Sequence, residues 1–434
     1  MLSVYRNMFR IRDLRNKVLF TLAIFAVYRT GAAIPVPGVD IDAVQQFADQ
    51  AQAAGIVGLL NLFSGGALET FSVFSLGIMP YITSSIIMQL LAVVIPRLQK
   101  LQEEGEAGRK VITQWTRYVT VVLALLQSTG LTYLFHRGTL TGGIDLIPSY
   151  TPGRVLIIVI TLTAGTAFIM WLGELISQRG IGNGMSLIIF VSIVSQLPAQ
   201  FALLATSAGG YGNAKFIGVV LMFFALIAGI IFVDQGQRRI PIQFSKRIRG
   251  RRMLGGQSTY IPLKVNTAGV IPVIFASSVL YFPALVASSI PAEGFFGPVR
   301  RFIDQNLVSG QTWWYVILFG LLIVFFTYFY TAIQFDPARQ SDMIQRQGGF
   351  IPGIRPGSQT TQYLQHILSR ITLPGSLFLA SVAVLPSIVA IASDPPLNIG
   401  FSGVSILIVT GVALETMKQI ESQLMMRNYE GFLA

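Results

Sequence analysis

Four ionisable side chains lie within or at the ends of apolar runs in this 434-residue chain: Arg29, Glu174, Asp234 and Glu415. At membrane depth such groups bind or relay ions, the chemistry of a coupled transporter or pump, and keeping them there is costly. Their spacing argues against that use. Arg29, Glu174 and Asp234 fall near the ends of their runs and Glu415 about a turn and a half from the end of the last, so each can snorkel or pair at an interface. The absence of cysteine removes disulfides, thiolate metal sites and thiol catalysis. His136 and His366 fall outside the apolar runs and read as loop residues, so no histidine metal cluster is expected. No carboxylate pair, nucleophile motif or P-loop falls on these runs. The expectation is a protein with no catalytic residue, metal or cofactor.

Small uncharged polar groups take the place of charge: Thr83, Ser84, Ser85 and Gln89 in one run, Gln127 and Ser128 in the next, Ser277 and Ser278 in a later one. Such residues hydrogen-bond between helices for well under ~2 kcal/mol each, and a seam held this way can open. The same groups also serve as ordinary packing glue in helical bundles.

The runs that carry these residues dominate the composition. The chain is 53% hydrophobic and only 12% charged, about half the charged share of a soluble domain, which makes it a polytopic membrane protein. Candidate crossings fall at 18–34, 71–95, 118–135, 155–176, 184–204, 216–233, 268–290, 312–333, 371–392 and 401–420. The first run follows a basic segment and ends in GAAIPVPG. That is a faint cleavage signature, but the run is longer than signal peptides usually carry and reads as a span. Ten crossings put both ends on one side. Of the 31 Lys and Arg residues, 25 then fall on that side and 5 on the other, with Arg29 inside the first span. By the positive-inside bias both termini are cytoplasmic.

The glycine-rich outer segment 200–215 divides the spans five and five. An odd number per half means that two related halves can only be inverted repeats about an axis in the membrane plane; the halves show no obvious residue identity. The expected organisation is an N-terminal half at 1–199, an external hinge at 200–215, a C-terminal half at 216–421 and a cytoplasmic tail at 422–434.

The stretch from Gly55 to Pro96 breaks the regular pattern. Ile56 to Phe63 is eight residues, ~12 Å as a helix against a ~30 Å bilayer core, and cannot span. Ser64-Gly65-Gly66 lets the chain turn with positive φ, and a second piece from about Phe71 to Ile95 is long enough to cross. Non-helical backbone at membrane depth is tolerated only where protein covers it or a water-filled cavity receives it, so a cavity is expected beside this break. The alternative is a helix lying on the outer leaflet. Upstream, Asp40 can cap a short helix.

Two cytoplasmic segments exceed what topology needs. Residues 236–264 carry eight basic and no acidic residues. Residues 336–370 open on Asp336-Pro337, a plausible helix start, and hold FIPGIRPG around Arg355. Unbalanced cations suit an acidic partner such as ribosomal RNA or an acidic protein surface; anionic lipid explains the sign of the charge but not the length and prolines.

The runs LFSGGAL, LGIMPYITSSIIMQLL, GQRRIPIQ, QSTYIPLKVNTAGVIPVIFASS and FIPGIRPG resemble the SecY family, the central subunit of the bacterial protein-conducting channel, and the likeness runs over nearly the whole chain. The resemblance implies an all-α fold of ten transmembrane helices in two inverted five-helix halves around a central pore, with a short plug half-helix at about 56–66 (Ile56, Val57, Leu59, Leu60, Asn61, Leu62, Phe63, Gly65, Gly66). It implies an apolar pore ring at Ile78, Ile82, Met185, Ile189, Ile274 and Ile408. Met185 stands where the family favours isoleucine. A lateral gate is implied between the second and third spans and the seventh and eighth, where Thr83, Ser84, Gln89, Gln127, Ser277 and Ser278 fall. The cytoplasmic loops 235–265 and 336–370 would receive the ribosome and the SecA motor, with Arg238, Arg239, Lys246, Arg247 and Arg355 as contacts. QRGIGNG at 178–184 has glutamine where an acidic residue is common in the family, so charge at that turn is assigned no role. Implied partners are the small membrane subunits SecE and SecG, SecA, the ribosome with its RNA, signal sequences, nascent chains and membrane lipid. The implied location is the bacterial plasma membrane.

The expected function is a gated channel that passes unfolded polypeptide and releases apolar helices sideways. The competing reading is a secondary transporter for a small solute, which also uses broken helices and inverted halves. The missing mid-membrane acid and the overlong basic loops disfavour it.

Overall fold

A computed structural model describes residues 11–51, 63–138, 143–207, 213–244, 247–249, 252–254, 258–289, 297–303, 306, 312–392 and 402–433. Helices occupy all ten expected crossings. They are α1 (Arg12–Ala32), α3 (Met79–Val94), α5 (Glu106–His136), α6 (Pro152–Arg179), α7 (Gly184–Ser207), α8 (Asn213–Gln235), α9 (Ile271–Ser289), α11 (Trp313–Gln334), α13 (Ser358–Ala392) and α14 (Gly403–Leu433). Among the described residues, α5, α6, α7, α8, α11, α13 and α14 are each long and apolar enough to cross a membrane. Shorter helices are α2 (Ile41–Ala51), α4 (Pro96–Glu103), α10 (Gly297–Ile303) and α12 (Pro337–Arg346). Asp40 accepts from the Asp42 and Ala43 amides to start α2, and Asp336 accepts from Ala338 and Arg339 to start α12, as both sequences suggest. His136 and His366 sit in helices, not loops, because α5 and α13 extend past their apolar cores.

The second crossing differs most from expectation. The helix begins at Met79, eight residues after Phe71, and spans 16 residues, ~24 Å. Ile95, extended before Pro96, then bends the chain by 100° into α4. Residues 65–78 are successive turns. Serines give this backbone its alternative to a helix. Ser75 Oγ donates to the Ala67 and Ser72 carbonyls at 2.8 and 2.6 Å, while the Ser64 and Ser72 hydroxyls accept from the Leu68 and Phe74 amides. The end of α1 takes the rest: the Val73 amide donates to Ile34 O at 2.9 Å and the Val36 amide to Phe71 O at 3.0 Å. Gly77 has φ +56°, and a Cβ there would lie 2.8 Å from Phe63 O, a contact only glycine allows.

The two halves share most of their packing order. In the first, the second span meets the third and fourth, the fourth meets the third and fifth, and the first meets the fourth and, less extensively, the fifth; in the second half the seventh meets the eighth and ninth, the ninth meets the eighth and tenth, and the sixth meets the tenth. Among the spans, α3 packs against α9 and α7 against α14 across the two halves, each pairing an element with its counterpart. Glycines repeat with them. A Cβ on Gly165 in α6 would lie 2.1 Å from Val73 O, before α3, and one on Gly375 in α13 would lie 2.5 Å from Val265 O, before α9. At the proposed 200–215 segment, α7 and α8 run in from either side, and α14 continues through 422–433.

Over the two basic segments the structure adds a sheet that the sequence pattern did not suggest. β1 (Gln237–Phe244) pairs antiparallel with β4 (Ser258–Lys264), and between them β2 (Arg247–Arg249) pairs with β3 (Arg252–Leu254). β5 (Gly349–Phe350) adds to the free side of β1, with Gln243 opposite Phe350 and Phe244 opposite Gly349. The two basic segments are therefore one body, packed over Ile240, Leu263, Ile351, Leu364 and Ile367.

The glycine contacts give a direct test. Gly165→Val and Gly375→Val should each destabilise the folded chain by ~1–3 kcal/mol or more, read as a lower melting temperature in detergent. Gly320→Ala, where a Cβ meets nothing within 4 Å, should leave it unchanged.

Candidate functional site

Apolar side chains from both halves share one extended hydrophobic core. Ile78, Ile82, Ile189, Ile274 and Ile408 are buried in one cluster, and Met185 packs on it half-buried. They come from α3 and the residue before it, α7, α9 and α14, the four elements that meet across the two halves. Ile78/Ile82 and Met185/Ile189 are each spaced by four, which sets both members of a pair on one helix face. The flexible thioether of Met185 fits against Gly173, whose missing Cβ leaves its sulfur room: a Cβ there would lie 2.4 Å from Sδ.

Next to this cluster the chain enters the broken segment. Ile56, Val57, Leu59, Leu60, Asn61 and Leu62 lie outside the described residues. Phe63, Gly65 and Gly66 are described, and Gly65 and Gly66 have φ +69° and +87°, the positive φ that the sequence demands. Phe63 and Ser64 are buried at 2% and 1% exposure. The Tyr28 hydroxyl from α1 donates to Ser64 O at 3.1 Å and lies 2.7 Å from Ser192 Oγ on α7. Arg29 Nη1 donates to Gly65 O at 2.6 Å, so this cation near the C-terminal end of α1 caps the carbonyl of a buried turn. Gly65 admits the approach: a Cβ would lie 3.1 Å from Ser192 Cα. Sequence reasoning missed Tyr28 and Ser192, because each is one hydroxyl among others on its helix, with Thr21 on the buried side of α1 and Ser195 a turn along α7.

The polar residues expected along the seam are mostly satisfied at home. Thr83 donates to Met79 O, Ser277 and Ser278 to Ile274 O, and Gln89 to Ser85 Oγ, each within its own helix. Ser84 donates to Thr116 O at 2.7 Å, tying α3 to α5 on the same side of the seam. Gln127 is half-buried on α5. Among the described residues no hydrogen bond joins α3 to α9, and their contact is apolar. Such a contact parts without stranding a polar group, and hydrocarbon from a lipid or a passing helix replaces it at little cost.

The basic residues occupy the sheet of β1, β4 and β5 and the strands beside it. Arg238 and Arg239 are exposed on β1, with the Arg239 guanidinium 4.9 Å from the Tyr260 ring centroid across the ladder. Arg247 begins β2, and Lys246 lies outside the described residues. Arg355 is exposed on the turn between β5 and α13, where its carbonyl accepts from Thr360 Oγ1 at 3.1 Å. The β1–β5 pairing draws Arg238, Arg239 and Arg355 onto one body.

The ionisable groups of the spans pair as their positions suggest. Arg117 Nε contacts Glu174 Oε1 at 2.6 Å and Lys418 Nζ contacts Asp234 Oδ2 at 2.7 Å, while Glu415 is exposed on α14. Among the described residues no group of three or more His, Cys, Asp or Glu could hold a metal ion.

Comparison with known proteins agrees on one family. The SecY family model matches residues 72–417. The protein translocase subunit SecY of Streptomyces galbus is 51% identical over 441 residues, covering all of both chains. A solved structure described as showing that the plug domain of the SecY protein stabilises the closed state and maintains a membrane seal aligns with TM-score 0.62 at 17% identity, over 94% of this chain and 91% of that one. Sec61 in the canine ribosome-channel complex aligns with TM-score 0.56 at 16% identity, over 94% and 91%.

Removing the Tyr28 hydroxyl should release the broken segment. Tyr28→Phe removes one donor from the buried Ser64 carbonyl, which keeps the longer contact from the Ala67 amide at 3.4 Å, a loss worth ~0.5–1.5 kcal/mol. Amide hydrogen exchange across 63–78 is expected to accelerate at least several-fold while α11 and α13 keep their protection.

Proposed function

The chain belongs to the SecY family and is a multi-pass protein-conducting channel subunit, not an enzyme, and on that premise we propose how its residues divide the work. Ile78, Ile82, Met185, Ile189, Ile274 and Ile408 form the pore ring, and residues 56–66 the plug on its outer side. An apolar constriction blocks ions by dewetting, yet gives way to a larger chain, so the seal needs no charge. Supporting this reading is the convergence of all six side chains, drawn from both halves, in one apolar cluster beside the segment that Tyr28 and Arg29 hold.

The lateral gate in this reading is the seam between α3 and α9, flanked by α5 and α11 and carrying Thr83, Ser84, Gln89, Gln127, Ser277 and Ser278. A signal sequence or nascent helix that reaches it partitions by its own composition. Leu, Ile, Phe or Val near the centre favours lipid by ~0.3–0.6 kcal/mol each and a charge opposes it by ~2.5–3.5 kcal/mol.

The cytoplasmic sheet is the docking surface for the ribosome and the SecA motor, through Arg238, Arg239, Lys246, Arg247 and Arg355. Its excess of cations supports acidic partners, and the solved Sec61 neighbour is a ribosome complex. SecE and SecG are the proposed membrane partners. The proposed site is the bacterial plasma membrane with both termini cytoplasmic, as the distribution of Lys and Arg supports.

Deleting residues 57–66 tests the plug. Ion conductance in planar bilayers should rise; a silent membrane would remove the plug from this account. Arg355→Glu should reduce motor-driven translocation more than helix insertion on ribosomes, whereas equal losses in both would signal misfolding.

A further inference from the structure

We infer that Glu103 and Arg339 form a clasp across the cytoplasmic mouth of the α3–α9 seam, opened when an acidic group of a docked partner takes Arg339. Arg339 Nη2 donates to Glu103 Oε1 at 2.8 Å across 236 residues of sequence. Glu103 ends α4 in the first half and Arg339 lies in the first turn of α12 in the second. The pairs Arg117–Glu174, His136–Asp145 and Lys418–Asp234 each stay within one half.

Both ends of the clasp are mechanically tied to something that moves. On one side only Ile95 separates α4 from the gate helix α3, at the 100° bend, so α4 follows α3. On the other, Asp336 caps α12 at its start and Ser341 Oγ donates to Gly357 O at 2.9 Å. This bond fastens α12 to the turn that carries Arg355, and the same turn follows β5, which is paired to β1. A load on the docking surface is thus delivered to Arg339. The proposal rests on reading that surface as the docking site.

The side chains of Arg339 and Glu103 are 57% and 48% exposed, so a partner can reach them and salt can screen them. An exposed pair shifts an equilibrium by only about two- to fivefold. That suits a bias on the gate rather than a lock. On α12 and its cap, Asp336 and Asp342 offset Arg339 and Arg346, so the ligand that competes with Glu103 is one that matches its chemistry at the guanidinium, a carboxylate, which gains Arg339 and frees Glu103.

The sign of a salt response tests the clasp. The chain has no cysteine, so Lys100→Cys and Met343→Cys provide a unique pair of spin-label sites, both exposed, on α4 and α12. With the full chain in its membrane complex in nanodiscs, raising salt from about 0.05 to 1 M screens exposed charges and should increase the fraction with separated labels. In Arg339→Glu, attraction becomes repulsion: that fraction should start several-fold higher and fall with salt. Arg339→Gln, the milder variant should charge reversal impair folding, should abolish the response. Glu103→Arg combined with Arg339→Glu should restore the wild-type sign. One sign of response in all four proteins, or a charge swap that restores nothing, would overturn the clasp. Transport of a secretory chain by the wild-type complex is measured alongside: loss of transport with intact salt responses would sink the channel reading and leave the clasp, and the converse would sink the clasp alone.

Discussion

Backbone that leaves helical geometry at membrane depth must find every hydrogen-bond partner inside the protein. Residues 64–78 meet much of that demand through the bonds described above, and several neighbouring elements are arranged so that they can. Ser64, Ser72 and Ser75 supply partners from within the segment, Ile34 and Val36 from the end of α1, and Tyr28 and Arg29 reach down to the Ser64 and Gly65 carbonyls. Ser192 completes the contact from α7. Gly165 and Gly77 have no side chain because a carbonyl occupies the space where one would be. A segment satisfied by discrete bonds rather than by a helix can be exchanged for another occupant, provided those bonds are replaced.

The same economy of charge shapes the centre. The side chains proposed as the ring are apolar, the seam beside them carries no hydrogen bond between α3 and α9 among the described residues, and the hydroxyls near it are satisfied within their own side. Both surfaces can part without stranding a polar group. Polar fastening is instead displaced away from the seam: Arg29 to Gly65 at one place, Glu103 to Arg339 at another. Opening by an apolar surface and control by peripheral bonds are thereby separated in space.

Crossings, charge bias and caps were legible because each depends on neighbours in sequence. Apolar length marked the spans, Asp40 and Asp336 marked helix starts, and Ser64-Gly65-Gly66 announced positive φ. The late start of α3 was not legible, since 71–78 is as apolar as a helix and its departure depends on serines bonding backward and on Ile34 and Val36, more than 30 residues away. The sheet joining two basic segments rests on the short pairing of Gln243 with Phe350 and Phe244 with Gly349, too brief to leave a strand pattern. The likeness of the halves is carried by helix order and by Gly165 and Gly375, not by residue identity. Tyr28 and Ser192, 164 positions apart, meet only once the helices pack.

The central claim is that a polypeptide passes between the two halves at the apolar cluster. Photo-crosslinking probes at Ile82 and Ile274, with a secretory chain stalled in transit, measure this directly. The account predicts adducts to the stalled chain from both positions; a transporter for small solutes gives none, and the absence of adducts from a complex shown to hold the stalled chain would contradict the account.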